Sequence, residues 1–333
     1  MSEPGRALQA FGGWAGAEVA PLLGGLINHT YLISAGGRRA VLQRVNPLFP
    51  PGIHHNIQAV TEHLQRKGML TPTLIPTSSG GLWAEVEGQV WRLLTHVEGA
   101  SFERVGGPVQ ARAAGALLGR FHRALDDLPH AFVHPRSAHD TPRHLARLAD
   151  AVAAHPQHRL AAQVAPIAAG IAAARLPPLP ALGPRPCHGD PKFNNFLFAG
   201  EEAVCLIDLD TVGPMALAHE LGDAWRSWCN RNGEDQEVAA LDLEVMAASL
   251  EGYRGERPLG REEREALLLG VEWVSLELAA RFAADALEER YFGWDPARFP
   301  GRGEHNLTRA RGQWSLHQQL LSSRQQRAVL LGG

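Results

Sequence analysis

Apolar and polar positions divide the chain into two regions of different period. Up to about residue 95 the apolar runs are short and separated by glycine and polar turns, the pattern of strands. Leu22 to Ile33 reads as an apolar strand, a turn at Gly24-Gly25 and a returning strand. Gly36-Gly37 then turns the chain into a third strand over 39–45. Pro47 to Pro51 breaks that pattern. Ile57, Val60 and Leu64 at helical spacing predict a helix from about His54 to Arg66. Two more strands are expected over 82–87 and 89–94.

From Pro108 the period lengthens. Val109, Ala113, Leu117, Phe121 and Leu125 recur every four residues and predict a helix with Pro108 in its first turn. Further helices are expected at 141–154, 157–175, 216–229, 235–252, 262–290 and 308–330. Phe196–Phe198 and Val204–Ile207 instead read as a short hairpin. The expected fold class is α+β in two lobes: a β-rich first lobe over 1–95 and a mainly helical second lobe over 96–333. A chain of 333 residues exceeds one ordinary core, which agrees with two lobes.

Composition narrows the functional classes. The chain is 45% hydrophobic with a formal net charge of -3, and its charges are mixed along its length. No basic stripe points to nucleic acid, and no long basic amphipathic segment points to a membrane surface. No apolar run approaches the ~20 residues that span a bilayer, and Met1 to Arg6 lacks the layout of a secretory leader. Three widely spaced cysteines, Cys187, Cys205 and Cys229, fit a reducing cytoplasm. His54, His55, His305 and His317 lack the spacing of zinc ligands. Trp225 and Trp228, with Leu221, read as core on a helix.

The chemistry concentrates between His188 and Asp210. His188-Gly189-Asp190 is followed by Lys192 and Asn195, then by the short hairpin and Ile207-Asp208-Leu209-Asp210. Phosphoryl transfer asks a protein mainly for positioning and charge. One carboxylate must orient the acceptor hydroxyl and take its proton, while oxygen ligands hold Mg²⁺. An aspartate five residues before an asparagine, with a second aspartate ending a later strand, supplies those groups. Plainer readings exist for each part: His188 and Asp190 as a loop capping its own backbone, Asp208 and Asp210 as a strand-end turn, and the Gly24-Gly25 pair as a simple hairpin turn.

The H-x-D-x-x-x-x-N spacing with the downstream I-D-x-D resembles the aminoglycoside phosphotransferase and choline kinase superfamily, relatives of protein kinases. That resemblance implies a bilobal protein-kinase-like fold, ATP and Mg²⁺ as cofactors and a small-molecule acceptor. Asp190 would be the catalytic base, Asn195 and Asp208 the magnesium ligands, and His188 a brace for the loop. Lys192 stands where a lysine contacts the γ-phosphate in the serine/threonine protein kinases. Gly24, Gly25, Asn28 and Thr30 would bring the first turn against phosphates, and the backbone from Thr95 to Val97 would meet adenine.

The usual third-strand lysine is replaced. Gln43 occupies its place, with Arg44 next, and strand alternation lets only one of the two face the cleft. Glu62 is the candidate for the partner glutamate on the first-lobe helix. Arg44 or Lys192 is then left to supply the positive charge.

Other stretches resemble the N-acetylhexosamine 1-kinase branch. They include Gly25-Leu26-Ile27-Asn28-His29-Thr30, Leu42-Gln43-Arg44-Val45-Asn46, Gly222-Asp223-Ala224-Trp225-Arg226 and Ala280-Arg281-Phe282. That likeness implies a hexosamine phosphorylated at its anomeric hydroxyl, with Asp223, Arg226 and Arg281 shaping the acceptor cleft. Leu26 and His29 depart from the branch where it carries polar residues near the sugar. His139-Asp140-Thr141 with Arg143 also resembles a helix start in that branch, and Asp140 reads equally as a plain N-cap.

Three rival readings follow from the same residues. A kinase for a cationic acceptor would use Glu272, Glu277, Glu288 and Glu289 as an acidic rim. A nucleotide-binding pseudokinase would account for Gln43. A metal-dependent hydrolase would use His188, Asp190, Asp208 and His219.

Overall fold

Six short strands form one antiparallel sheet at the start of the chain. They are β1 (Glu18–Leu22), β2 (His29–Ala35), β3 (Arg38–Arg44), β4 (Leu74–Ile75), β5 (Ala84–Val86) and β6 (Gln89–Thr95). Their order is β1-β2-β3-β6-β4, with β5 also on β6. The structure, a computed structural model, describes residues 2–22, 28–134 and 139–332. Gly24, Gly25 and Leu26 of the expected first turn therefore lie outside the described residues.

Alternation along the strands gives the sheet two unlike faces. Ala40 and Leu42 of β3 and Trp91 and Leu93 of β6 are buried beneath a short first helix, α1 (Glu3–Leu8). Val41 and Gln43 of β3 and Arg92 of β6 point to the opposite face. The sequence reading missed α1, because six residues carry less than two turns of periodicity. Arg44 shares the α1 side and donates to Glu3 Oε1 at 2.8 Å.

The helix α2 (Ile53–Arg66) follows the proline-rich break. Its Ile57, Val60 and Leu64 share one core with Leu117, Leu118 and Phe121 of α3 (Pro108–Leu125). The first-lobe helix is thereby anchored on the second lobe. The face of α3 differs from the four-residue pattern: Val109 is 55% exposed, while Ala111 and Ala114 are buried. The true period of 3.6 rotates the row out of register by its first turn.

The second lobe continues with α4 (Thr141–Ala154), α5 (Ala161–Ala173), α6 (Leu217–Trp228), α7 (Leu243–Glu256), α8 (Arg261–Glu288), α9 (Arg302–Ser322) and α10 (Arg324–Gly332). Two expectations shift here. The helix placed at 235–252 begins at Leu243 behind its N-cap Asp242, and the stretch at 308–330 divides into α9 and α10 at Ser323. At 28 residues α8 runs about 42 Å. It carries α6 on one side and α4, α5 and α9 around the second core.

Between α5 and α6 lie four short strands: β7 (Arg185–Cys187), β8 (Phe196–Ala199), β9 (Glu202–Leu206) and β10 (Gly213–Met215). β8 pairs with β9 as the expected hairpin, and β7 pairs with β10. Cys187 on β7, Cys205 on β9 and Cys229 just after α6 are free and buried. Trp225 and Trp228 are core residues, their indole N–H groups donating to Ser249 Oγ at 3.0 Å and the Pro191 carbonyl at 2.8 Å. No helix among the described residues is long and apolar enough to cross a membrane.

Candidate active site

The loop between β7 and β8 is fixed by its own polar groups. His188 is fully buried; its Nε2–H donates to the Ile207 carbonyl at 2.8 Å, and its Nδ1 accepts from the Asp190 amide at 3.3 Å. Both ring nitrogens are thus spent on backbone, which makes His188 a brace. Gly189 has φ of +86°, and a Cβ there would lie 2.4 Å from the Thr211 carbonyl oxygen. Only glycine fits that close approach.

The loop is also held from beneath by α6. Glu220, fully buried, accepts the amides of His188 and Gly189 at 2.9 Å each. Its Oε1 also meets His122 Nε2 at 3.3 Å, while His122 Nδ1 lies 2.9 Å from the Tyr253 hydroxyl. Burial pushes the Glu220 carboxyl up, but the His122 hydrogen bond, the charges of His122 and His188 and the Gly189 amide outweigh it and leave it depressed. The sequence reading did not single out Glu220.

Above this base sit the groups expected to do chemistry. The carboxylate of Asp190 meets Lys192 Nζ at 3.2 Å, and the proximity of Asp190 raises the Lys192 ammonium. Asn195 donates through Nδ2 to the Asp190 carbonyl at 2.8 Å, which fixes its amide. Asp208 adopts the left-handed conformation, φ 62° and ψ 62°, unusual for a non-glycine residue. Its carboxyl is pushed up to about 7, by burial first and then by the charges of Asp210 and Asp190, with Arg92 and Lys192 opposing. Three carboxylates thus crowd one end of the cleft. Such a site is short of positive charge, and its hard oxygen donors suit a divalent cation such as Mg²⁺.

The nucleotide-side expectations divide. Gln43 faces the cleft side of the sheet, donating to Thr30 Oγ1 at 3.1 Å and accepting from Arg92 Nε at 2.8 Å. Arg92 also forms a buried ion pair with Asp210, the aspartate two residues past Asp208. Asn28 bridges the two lobes: its Nδ2 donates to Asp210 Oδ2 at 2.7 Å, and its Oδ1 accepts from the Asn46 amide at 2.9 Å. Arg44, expected as a possible phosphate contact, is instead occupied by Glu3 across the sheet. Glu62 accepts from Gln58 at 2.9 Å on an exposed face. Thr95 is tied to Thr73 by its amide, at 2.9 Å, and Val97 lies half-buried in the connection after β6. Arg92 was overlooked because its role follows from cross-strand register, which local pattern does not reveal.

A second polar cluster, largely buried, lies between α6 and α8. Asp223 is buried against Arg226 at 2.8 Å, and Arg226 reaches Glu234 at 2.6 Å. Glu277, fully buried on α8, meets His139 at 3.1 Å and the Thr141 hydroxyl at 2.8 Å, with Arg281 at 3.7 Å. His139 and His219 face each other at 5.1 Å, and Arg281 lies over Phe292. Burial, then His139, pushes His219 down to about 4. Asp140 caps α4 by accepting the Arg143 amide at 3.1 Å, the plainer of its two readings.

The rival constellations fare differently. The four rim glutamates are all paired: Glu272 with Arg324 and Arg327, Glu277 as above, Glu288 with Arg147 and Arg290, and Glu289 with Arg159 and His158. His188, Asp190, Asp208 and His219 do not gather as metal ligands among the described residues. His122, Cys187 and Glu220 do converge, but the histidine and carboxylate are committed to the loop and to Tyr253.

Comparison with known proteins agrees with this geometry. The chain is 30% identical over 213 residues to a homoserine kinase of Chelativorans sp. (strain BNC1), covering 62% of each. It is 29% identical over 214 residues to that of Burkholderia cenocepacia (strain HI2424), covering 61% of each. The chain thus spans about three fifths of the length of the curated relatives it matches. Among solved structures, a microcompartment-associated aminopropanol kinase superposes with a TM-score of 0.66 at 16% identity, covering 96% of this chain and 97% of the other. An aminoglycoside phosphotransferase from Alicyclobacillus acidocaldarius gives 0.62 at 18% identity, covering 99% and 97%. These likenesses show the two-lobed protein-kinase-like fold expected from the sequence. The model of the phosphotransferase enzyme family, APH, matches residues 18–259, from β1 through α7, and the chain belongs to that family.

Proposed function

We propose that the protein transfers the γ-phosphoryl group of ATP to a hydroxyl of a small-molecule acceptor, with Mg²⁺. Residues 1–95 would cover the nucleotide, and 96–333 would hold the catalytic loop and the acceptor. The observation that carries this reading is the convergence of Asp190, Lys192 and Asn195, on a loop braced by His188 and Glu220, with Asp208 from the end of the following hairpin. Asp190 orients the acceptor hydroxyl and takes its proton, as phosphoryl transfer requires. Lys192, held by that carboxylate, faces the transferred phosphoryl group. Asn195 and Asp208 are the groups that would hold Mg²⁺, which when bound neutralises phosphate charge. Thr95 to Val97 would meet adenine through backbone groups, beside Thr30 and Gln43.

The polar cluster of Asp223, Arg226, His139, His219 and Arg281 would border the acceptor. Among the described residues its acids are each matched by a cation or an imidazole, which leaves no unpaired carboxylate there for a quaternary amine or an aminoglycoside. Neutral or anionic hydroxyl compounds fit that charge distribution. A hexosamine is the acceptor suggested by the sequence motifs. Homoserine is the second reading, favoured by the curated relatives.

ADP release with Mg²⁺ and ATP, measured across N-acetylglucosamine, homoserine, choline and an aminoglycoside, tests this. Turnover with the sugar or with homoserine is expected. Turnover confined to choline or the aminoglycoside would refute the acceptor class. Asp190→Asn should lower kcat by about 10²–10⁴ while nucleotide still binds; unchanged kcat would refute the assignment of the base.

A further inference from the structure

Arg92 of β6 is a buried cation on the cleft face of the sheet. Gln43 and Arg92 are direct cross-strand partners, and Thr30 is the partner of Gln43 on β2, so all three share one face. Gln43 is oriented by its bond to Thr30 and offers its carbonyl oxygen to Arg92 Nε. Asp210 takes Nη1, and the guanidinium plane is thereby fixed at two of its three nitrogens. Nη2 makes no hydrogen bond among the described residues. The side chain is 2% exposed, so water does not compete freely for that group. The same guanidinium lies within electrostatic reach of the Asp208 carboxyl, the candidate metal ligand.

We propose that Arg92 is the first-lobe cation that binds the phosphates of the nucleotide, in place of a lysine on β3. Gln43 sets its orientation and Asp210 is its counter-ion. This rests on the phosphotransferase reading above and names a residue of that same site. The chemistry suits the position. Arginine stays charged at any physiological pH, and its planar fork presents its remaining N–H edge to phosphate oxygens while its other nitrogens hold protein partners. A lysine in the same place would divide its single ammonium between Asp210 and phosphate. The glutamine at 43 is then functional: an uncharged side chain there avoids repelling Arg92 and supplies the acceptor that aims it.

Calorimetric titration with ATP, ADP and adenosine in the presence of Mg²⁺ tests the proposal. Arg92→Met should weaken ATP and ADP at least tenfold and leave adenosine within twofold, because adenosine has no phosphate to lose. Arg92→Lys should recover part of the loss, and Gln43→Lys in the Arg92→Met background should recover part as well. Equal weakening of all three ligands would reduce Arg92 to a structural strut. Unchanged ATP affinity would remove it from the nucleotide site. Should Arg92→Met fail to fold, Arg92→Lys carries the test, with ATP and ADP weakened more than adenosine as the expected result and uniform effects as the refuting one. Wild-type turnover is measured alongside. Nucleotide binding without transfer to any acceptor overturns the kinase reading but leaves the Arg92 result intact. Indifferent Arg92 variants in an active enzyme overturn this inference alone, and a wild type that binds no ATP overturns both.

Discussion

Glu220 gives the sharpest test of how the catalytic loop is held. Glu220→Gln keeps the side-chain shape but replaces two acceptor oxygens by one oxygen and one NH₂ group. The two amides of His188 and Gly189, each 2.9 Å from a carboxylate oxygen, cannot both be satisfied by glutamine. One buried N–H is left unpaired, at about 1–3 kcal/mol, and the other exchanges a charged acceptor for a neutral one, at about 1 kcal/mol. The variant should therefore lose about 2–4 kcal/mol. For a chain of this length that corresponds to a Tm lowered by roughly 3–6 °C. Scanning calorimetry measures it, and kcat should fall with it because Asp190 follows Gly189. A Tm within 1 °C of wild type together with kcat within twofold would show that the loop does not depend on this carboxylate.

Three further outcomes are expected. Burial, then the charge of Arg92, lowers His54 to about 4, whereas the unfolded chain binds that proton near 6.5. Stability should therefore fall as pH drops from about 6.5 towards 4, and His54→Asn should flatten that limb of a urea-denaturation series; parallel limbs would contradict the assignment. Gly115→Ala would place a Cβ 2.0 Å from the Ser249 carbonyl oxygen where α3 crosses α7, so it should lower Tm by several degrees despite alanine's helix propensity of about 1 kcal/mol. An unchanged or raised Tm would show that the helices part easily. Asp208→Asn removes a crowded carboxylate, so the nucleotide-free protein should melt higher while the gain in ATP affinity on adding Mg²⁺ disappears. Persistence of that gain would remove Asp208 from the metal site.

What could be read in the sequence depended on how local the cause was. His188, Asp190, Lys192 and Asn195 lie within eight residues, so their spacing shows them as one loop, and the hairpin that follows places Asp208. The replacement of the third-strand lysine by Gln43 was equally visible. Its compensation was not, because Arg92 sits 49 residues further on and meets Gln43 only through the register of β3 with β6. Arg44 was weighed as a cation for the cleft because the sequence does not show which strand face α1 covers; its pairing with Glu3 answers that. The polar cluster between α6 and α8 is the least legible part. His139 lies before α4, His219 on α6, and Glu277 with Arg281 on α8, and only helix packing brings the three stretches together. The glutamates read as an acidic rim illustrate the same limit, since their countercharges, Arg324 and Arg327 among them, arrive from a distant helix.

The buried thiols have a use that follows from where they sit. Burial pushes Cys187 and Cys229 well above the ordinary thiol range and Cys205 up to about 12. None offers thiolate at neutral pH in the closed protein, so reaction with a disulfide reagent must wait for the structure around it to open. Cys187 immediately precedes His188, Cys205 lies in the hairpin leading to Asp208, and Cys229 follows the helix that carries Glu220. The protein thus carries three native clocks around its own chemistry. Their separate labelling rates, with and without nucleotide, would time the breathing of the catalytic segment without a single engineered probe.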